Sequence, residues 1–193
     1  MKLKLCVAAA LVPLAWGGCE RPTTGARIPV YDRPQIALVV VGGRSPSNGD
    51  NPVIAATNRL IEGTRRLGVE LVYVRAQANA DPDPRLQTID DQVFPATRGD
   101  AFSNPDLDRF FRSRAVDHLV LVGIVADPSI ELTGRGALNR GYKVMVADDA
   151  VSSASDAQRE GALESLRRAG AGITRSETVL AEWTRRQRYL GSR

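Results

Sequence analysis

The chain is short of the side chains that most often carry catalysis and bind metals. It holds one histidine, His118, and two cysteines, Cys6 and Cys19, both within the first 19 residues. A cage of four Cys/His ligands cannot be built from that stock, and one of three would need both cysteines of the leader and its junction, so no metal site is expected. A Ser/His/Asp arrangement has a single candidate base. Lysine is nearly absent: of 26 basic residues only Lys2, Lys4 and Lys143 are Lys, and the rest are Arg. Aromatics make up 5%, and the Arg residues do not interleave with them in a stripe, so no nucleic-acid partner is expected. No nucleotide fingerprint is present either. Gly42-Gly43 is a lone pair without phosphate-loop spacing, reads as a tight turn, and implies no cofactor. What remains is ordinary for a folded protein: 193 residues, 43% hydrophobic and 25% charged, enough for one domain with a short leader.

The leader reads as an export signal. Met1-Lys2-Leu3-Lys4 is a positive start, and Leu5 to Ala15 is apolar apart from Pro13. That run is below the roughly 20 residues that span a bilayer. Trp16-Gly17-Gly18-Cys19 follows and resembles the lipobox of bacterial lipoproteins, with Trp16 where that pattern prefers Leu. The resemblance implies lipidation of Cys19 and a membrane-anchored lipoprotein on the periplasmic side. Ordinary cleavage nearby would instead leave Cys19 as a free thiol. Residues 1–18 are thus expected to be signal peptide, 19–34 a Pro/Thr/Gly-rich tether, and 35–193 the domain. Loss of 1–18 removes two Lys and no acid, lowering the formal charge from +4 to +2.

The domain alternates strand and helix. Ile36–Val41 is a continuous apolar run of the kind buried on both faces of a parallel sheet. Asn51-Pro52 opens a helix carrying Ile54, Leu60, Ile61 and Leu67, and Val69–Val74 is a second strand. Asp81–Thr97 reads as a long Pro-rich loop. Asn104-Pro105-Asp106 starts a helix with Leu107, Phe110 and Phe111 inward. His118–Val122 is the third strand. Asp127-Pro128 reads as cap and first position of a helix reaching Arg140. Tyr142–Ala147 is a strand, Ser155-x-x-Gln158 a capping box, Ile173 a short strand, and Glu177–Arg186 a last helix. These repeats imply an α/β fold: a three-layer α-β-α, doubly wound, mostly parallel sheet. Ligands of such sheets bind beyond the carboxyl ends of the strands. Here those ends are Gly42-Gly43, the 81–102 loop, Ile124–Ser129 and Asp148–Ser153.

Those strand ends carry a resemblance. The segments IALVVVGG and GVELVYVR, the stretch from Ala101 to Ser153, and ALESLRRAGAGI are together similar to the isochorismatase-like cysteine hydrolases. That family includes isochorismatases, nicotinamidases and N-carbamoyl amidohydrolases. The likeness spans roughly Gln35 to Leu180. It implies an Asp at the end of the first strand, a Lys six residues before the Phe of an Ala-Phe pair, and a nucleophilic Cys opening the helix after Gly123. With Phe102 as anchor, these positions hold Gly42, Ala96 and Ser129: all three are replaced. The resemblance also implies a cis peptide and an oxyanion hole, at Ile124, Val125 and the Ser129 N–H.

Ser129 needs help to act as a nucleophile. A helix N-terminus offers about half a unit charge, enough to favour a thiolate but not to ionise a hydroxyl. His118 begins the strand whose other end leads to Ser129, roughly 16 Å away at about 3.3 Å per residue. Arg98 stays protonated and cannot be a base. Asp127 reads as a helix cap and Asp149 as a loop-orienting acid. The expectation is a catalytically degenerate pocket for a small carboxylate or amide, lined by Gly42, Gly43, Arg98, Phe102, Ile124, Val125 and Asp127 around Ser129. The alternative is a divergent hydrolase of an amide or vinyl ether with Ser129 as nucleophile. Ser129 also reads as a helix-start hydroxyl satisfied by local backbone, and His118 as a strand-edge residue. The pairs Arg65-Arg66, Arg167-Arg168 and Arg185-Arg186 read as solvated helix faces or as contacts to anionic lipid. Trp183 and Tyr189 on the last helix are candidates for a homo-oligomer contact.

Overall fold

The apolar run at the start of the domain forms β1 (Gln35–Gly42), whose last six residues are buried. In the computed structural model the described residues are 35–43, 51–75, 82–87, 92–97, 99–124 and 128–191. After β1 come α1 (Pro52–Leu67), β2 (Glu70–Arg75), β3 (Val93–Pro95), a 3-10 turn at Ala101–Ser103, α2 (Pro105–Ser113) and β4 (Val116–Ile124). Then follow α3 (Ser129–Asn139), β5 (Lys143–Val151), α4 (Asp156–Arg168), β6 (Gly172–Thr174) and α5 (Ser176–Gly191). The strands form one six-stranded sheet in the order β3-β2-β1-β4-β5-β6, every neighbouring pair parallel.

Alternation along the central strands makes two cores. Ala37, Val39 and Val41 of β1 and Leu119 and Leu121 of β4 face α2, α3 and α4, meeting Leu107, Phe111, Ile130 and Leu166. Leu38 and Val40 of β1 and Val120, Val122 and Ile124 of β4 face α1 and α5, meeting Leu60, Ile61, Val179 and Trp183. Each such side chain, buried in full, is worth about 1.5–3 kcal/mol. The fold is therefore the expected three-layer, doubly wound α/β sheet.

The local signals for helix starts hold where a side chain can reach an orphan N–H. Asn51 accepts from the Val53 N–H, Asn104 from the Asp106 N–H and Ser155 from the Gln158 N–H. Four details depart from the sequence reading. Asp81–Thr97 is not all loop: Val93–Pro95 pairs with Tyr73–Arg75 as an edge strand. Pro128, not Asp127, occupies the position before α3, with no side-chain cap bond. β5 runs on through Asp148 and Asp149, because a break in register lets Val151 rejoin Gly123 and the Ser152 N–H bond the Gly123 carbonyl at 2.8 Å. Trp183 is 4% exposed, packed against Gly63, and is core rather than an outward contact.

Candidate functional site

The strand order reverses between β1 and β4, and their carboxyl ends, Gly42 and Ile124, stand side by side. In a doubly wound sheet this is the crevice where ligands sit. α3 starts from it with Ser129, which is 4% exposed.

Gly42 closes one wall of this crevice with backbone. Its φ is +135°, a conformation L side chains avoid, and a Cβ there would lie 2.1 Å from the Ile124 carbonyl oxygen. The Gly43 N–H reaches that same oxygen at 3.4 Å. On the other side the Tyr73 hydroxyl donates to the Gly42 carbonyl. Glycine here therefore serves close strand approach.

Ser129 faces a different wall. A Cβ on Gly99 would meet the Ser129 Oγ at 2.9 Å and Leu132 at 3.6 Å, and Gly99 has φ +80°. The 99–101 backbone is pinned there by Thr133, whose hydroxyl accepts from the Ala101 N–H at 3.1 Å and donates to the Gly99 carbonyl at 3.5 Å. Gly136 lets the 3-10 turn lie on α3, since a Cβ there would be 2.9 Å from Asp100 Oδ1. Among the described residues no acid or histidine hydrogen-bonds the Ser129 hydroxyl.

Ala96, the residue that the resemblance sets at a lysine position, is 7% exposed in the core beneath α2 and α3, and its N–H donates to the Arg75 carbonyl at 2.9 Å. Phe102 is 3% exposed, its ring 5.6 Å from that of Tyr142 and 6.2 Å from that of Phe111. Arg140 covers that ring at 5.0 Å and donates to the Phe102 carbonyl at 3.0 Å. The aromatic cluster is tied off by Asp108, which accepts from the Tyr142 hydroxyl at 2.8 Å and pairs with Arg112 at 2.8 Å. Burial works to raise the Asp108 carboxyl, but the hydrogen bonds from Arg112 and Tyr142 outweigh it and hold it below the ordinary carboxylate value.

The structure thus brings Gly42, Gly43, Ile124 and Ser129 to one edge and places Phe102 inside the core. Arg98, Val125, Asp127 and the lipidation candidate Cys19 lie outside the described residues. His118 is the third residue of β4, beside Asp117 Oδ1 at 2.7 Å, at the end of the strand away from Ser129. Asp149 accepts from the Ser176 N–H at 2.7 Å and from its hydroxyl at 2.6 Å, so it caps α5 and joins it to β5. Sequence reasoning missed Tyr73, Gly99 and Thr133. Their roles come from contacts across 31 to 34 positions of chain, which no local pattern announces.

The order of strands, the switch point and the helix opening beside it define a doubly wound α/β domain with its site at the carboxyl edge. The chain belongs to the isochorismatase domain family, which matches residues 35–178. Isochorismatase domain-containing protein 1 of Danio rerio is 34% identical over 137 residues, 67% of this chain and 47% of the relative. The matched region is thus about half the length of that relative. An isochorismatase family protein from Burkholderia thailandensis superimposes with a TM-score of 0.70 at 23% identity, covering 79% of this chain and 97% of the other. The YcaC gene product of Escherichia coli, described as an octameric hydrolase of unknown specificity, gives 0.65 at 17%, covering 77% and 79%. At these identities the two structures speak for the fold alone.

Proposed function

We propose that this chain is an exported, lipid-anchored isochorismatase-like protein that binds a small carboxylate or amide without turning it over by the family's cysteine chemistry. The observation that carries this reading is the wall at Gly42. A positive φ and the Ile124 carbonyl leave no room for a side chain where the family resemblance puts an acid. Ser129 supports it: a hydroxyl beside the Gly99 backbone, with no acid or histidine hydrogen-bonded to it among the described residues, is a poor nucleophile. The same hydroxyl, at the N-terminus of an eleven-residue helix, is a fair hydrogen-bond partner for an anionic or amide oxygen. The anchor rests on the Gly17-Gly18-Cys19 pattern.

The test is a calorimetric titration with small carboxylates, amides and ureido acids, with the ligand recovered and analysed afterwards. The reading predicts saturable binding, weakened by Ser129→Ala, with the ligand recovered intact. Recovery of product from wild type and not from Ser129→Ala would instead support a serine-based hydrolase. That second reading draws on the burial of Ser129 at a helix start. The octameric relative makes self-association of this chain worth measuring by light scattering in the same samples.

A further inference from the structure

Because every strand is parallel, each helix returns to the sheet's amino edge, and the tether joins β1 at that same edge, at Gln35. The helices deliver cations there. Arg65 and Arg66 stand in the last turn of α1, Arg167 and Arg168 in the last turn of α4, and Arg188 in the last turn of α5. Lys143, the one lysine beyond the leader, opens β5 on this edge. All six are exposed. A helix C-terminus carries only about half a negative charge. α1 and α4 carry two each, those of α4 sharing Glu164 at 2.6 and 2.9 Å. Acids stand on this edge too, Glu62 on α1, Glu164 on α4, Glu70 opening β2 and Asp117 near the start of β4, but they are fewer than the cations, while Asp106, Glu131, Asp156 and Glu177 sit in first turns at the other end. α1 and α5 cover one face of the sheet and α4 the other. The cations therefore flank the amino edge on both sides.

We infer that this amino edge docks on an anionic phospholipid surface, which turns the Ser129 edge away from the membrane. Charge complementarity favours the lipid, and so does the point where the tether arrives. With 15 residues between Cys19 and Gln35, a lipid-held chain keeps this edge near the headgroups. The inference rests on the anchored reading, but the two fail separately.

The test uses the processed chain as isolated from membranes, with Cys19 and the 19–34 tether retained. Co-flotation is measured with vesicles of phosphatidylcholine alone and of phosphatidylcholine mixed with phosphatidylglycerol. At low salt the expected preference for the anionic vesicles is roughly tenfold or more. It should vanish near 1 M salt, where screening acts within about 3 Å. Arg65→Glu/Arg66→Glu should abolish the preference, and the milder Arg167→Gln/Arg168→Gln should reduce it. Arg109→Glu/Arg175→Glu makes the same charge change away from the amino edge and should preserve most of it. Equal loss in the Arg65/Arg66 and Arg109/Arg175 variants would overturn the proposal, because net charge and not the edge would then be at work. Equal flotation with both vesicles would also overturn it while leaving the anchor standing. Anionic preference without flotation on neutral vesicles would uphold the edge and remove the anchor. Equal competition by duplex DNA at matched salt would overturn lipid as the occupant.

Discussion

The two walls of the switch point differ in kind. At the end of β1, Gly42 is fixed by backbone: a positive φ, the Ile124 carbonyl against its missing Cβ, and the Tyr73 hydroxyl on its own carbonyl. At the start of α3, Ser129 is a side chain on a helix start, beside the Gly99 backbone, and another of its size would fit. On the proposed reading, one departure from the family pattern is built into the chain path, and the other is a single atom. That reading expects a family site rebuilt here to fail first at β1 and last at α3.

Substitutions can break or sharpen that contrast. The largest effect is expected for Gly42→Asp. A side chain there must displace the Ile124 backbone from a position of positive φ, at a cost of about 3 kcal/mol or more, read as a fall in chemical-denaturation midpoint. A stable, folded Gly42→Asp protein would show that this wall is soft. Next comes Ala96→Lys, which puts an ammonium into an apolar core without an acid at position 42 to meet it. A loss of about 2 kcal/mol is expected in the same measurement. Asp108→Asn, away from both walls, tests the aromatic clasp behind the 3-10 turn. Its carboxyl is held below the ordinary value, so the native state binds a proton less readily than the unfolded chain. The stabilisation is present above about pH 4 and is lost as pH falls through the lowered folded value. The variant should be about 1–2 kcal/mol less stable than wild type at pH 7, with the gap closing in acid. A gap that persists at low pH would assign the loss to packing. The smallest effect is expected for Ser129→Cys, under about 1 kcal/mol, with no family activity regained.

Much of the fold was legible because it rests on local signals. β1 and β4 carry the apolar runs Ile36–Val41 and Leu119–Val122, and the caps at Asn51, Asn104 and Ser155 are read within three residues of sequence. The failures came where partners decide. β3 is three residues of Pro-rich edge, too short for periodicity, and it exists because Arg75 and Ala96 pair across the loop. Asp148-Asp149 looks like a turn, and is strand because Val151 finds Gly123 again. The site was legible as a set of positions and illegible as a shape. Gly42 and Ser129 could be named from motif order. That one is locked by Ile124 and the other walled by Gly99 depends on contacts that only the folded chain makes.

The central claim is that these two walls leave no working nucleophile. It is tested most directly by turnover of isochorismate, amides and ureido acids by the purified wild-type chain beside Ser129→Ala. The account predicts no turnover that separates the two proteins. A substrate consumed by wild type and left untouched by Ser129→Ala would contradict it.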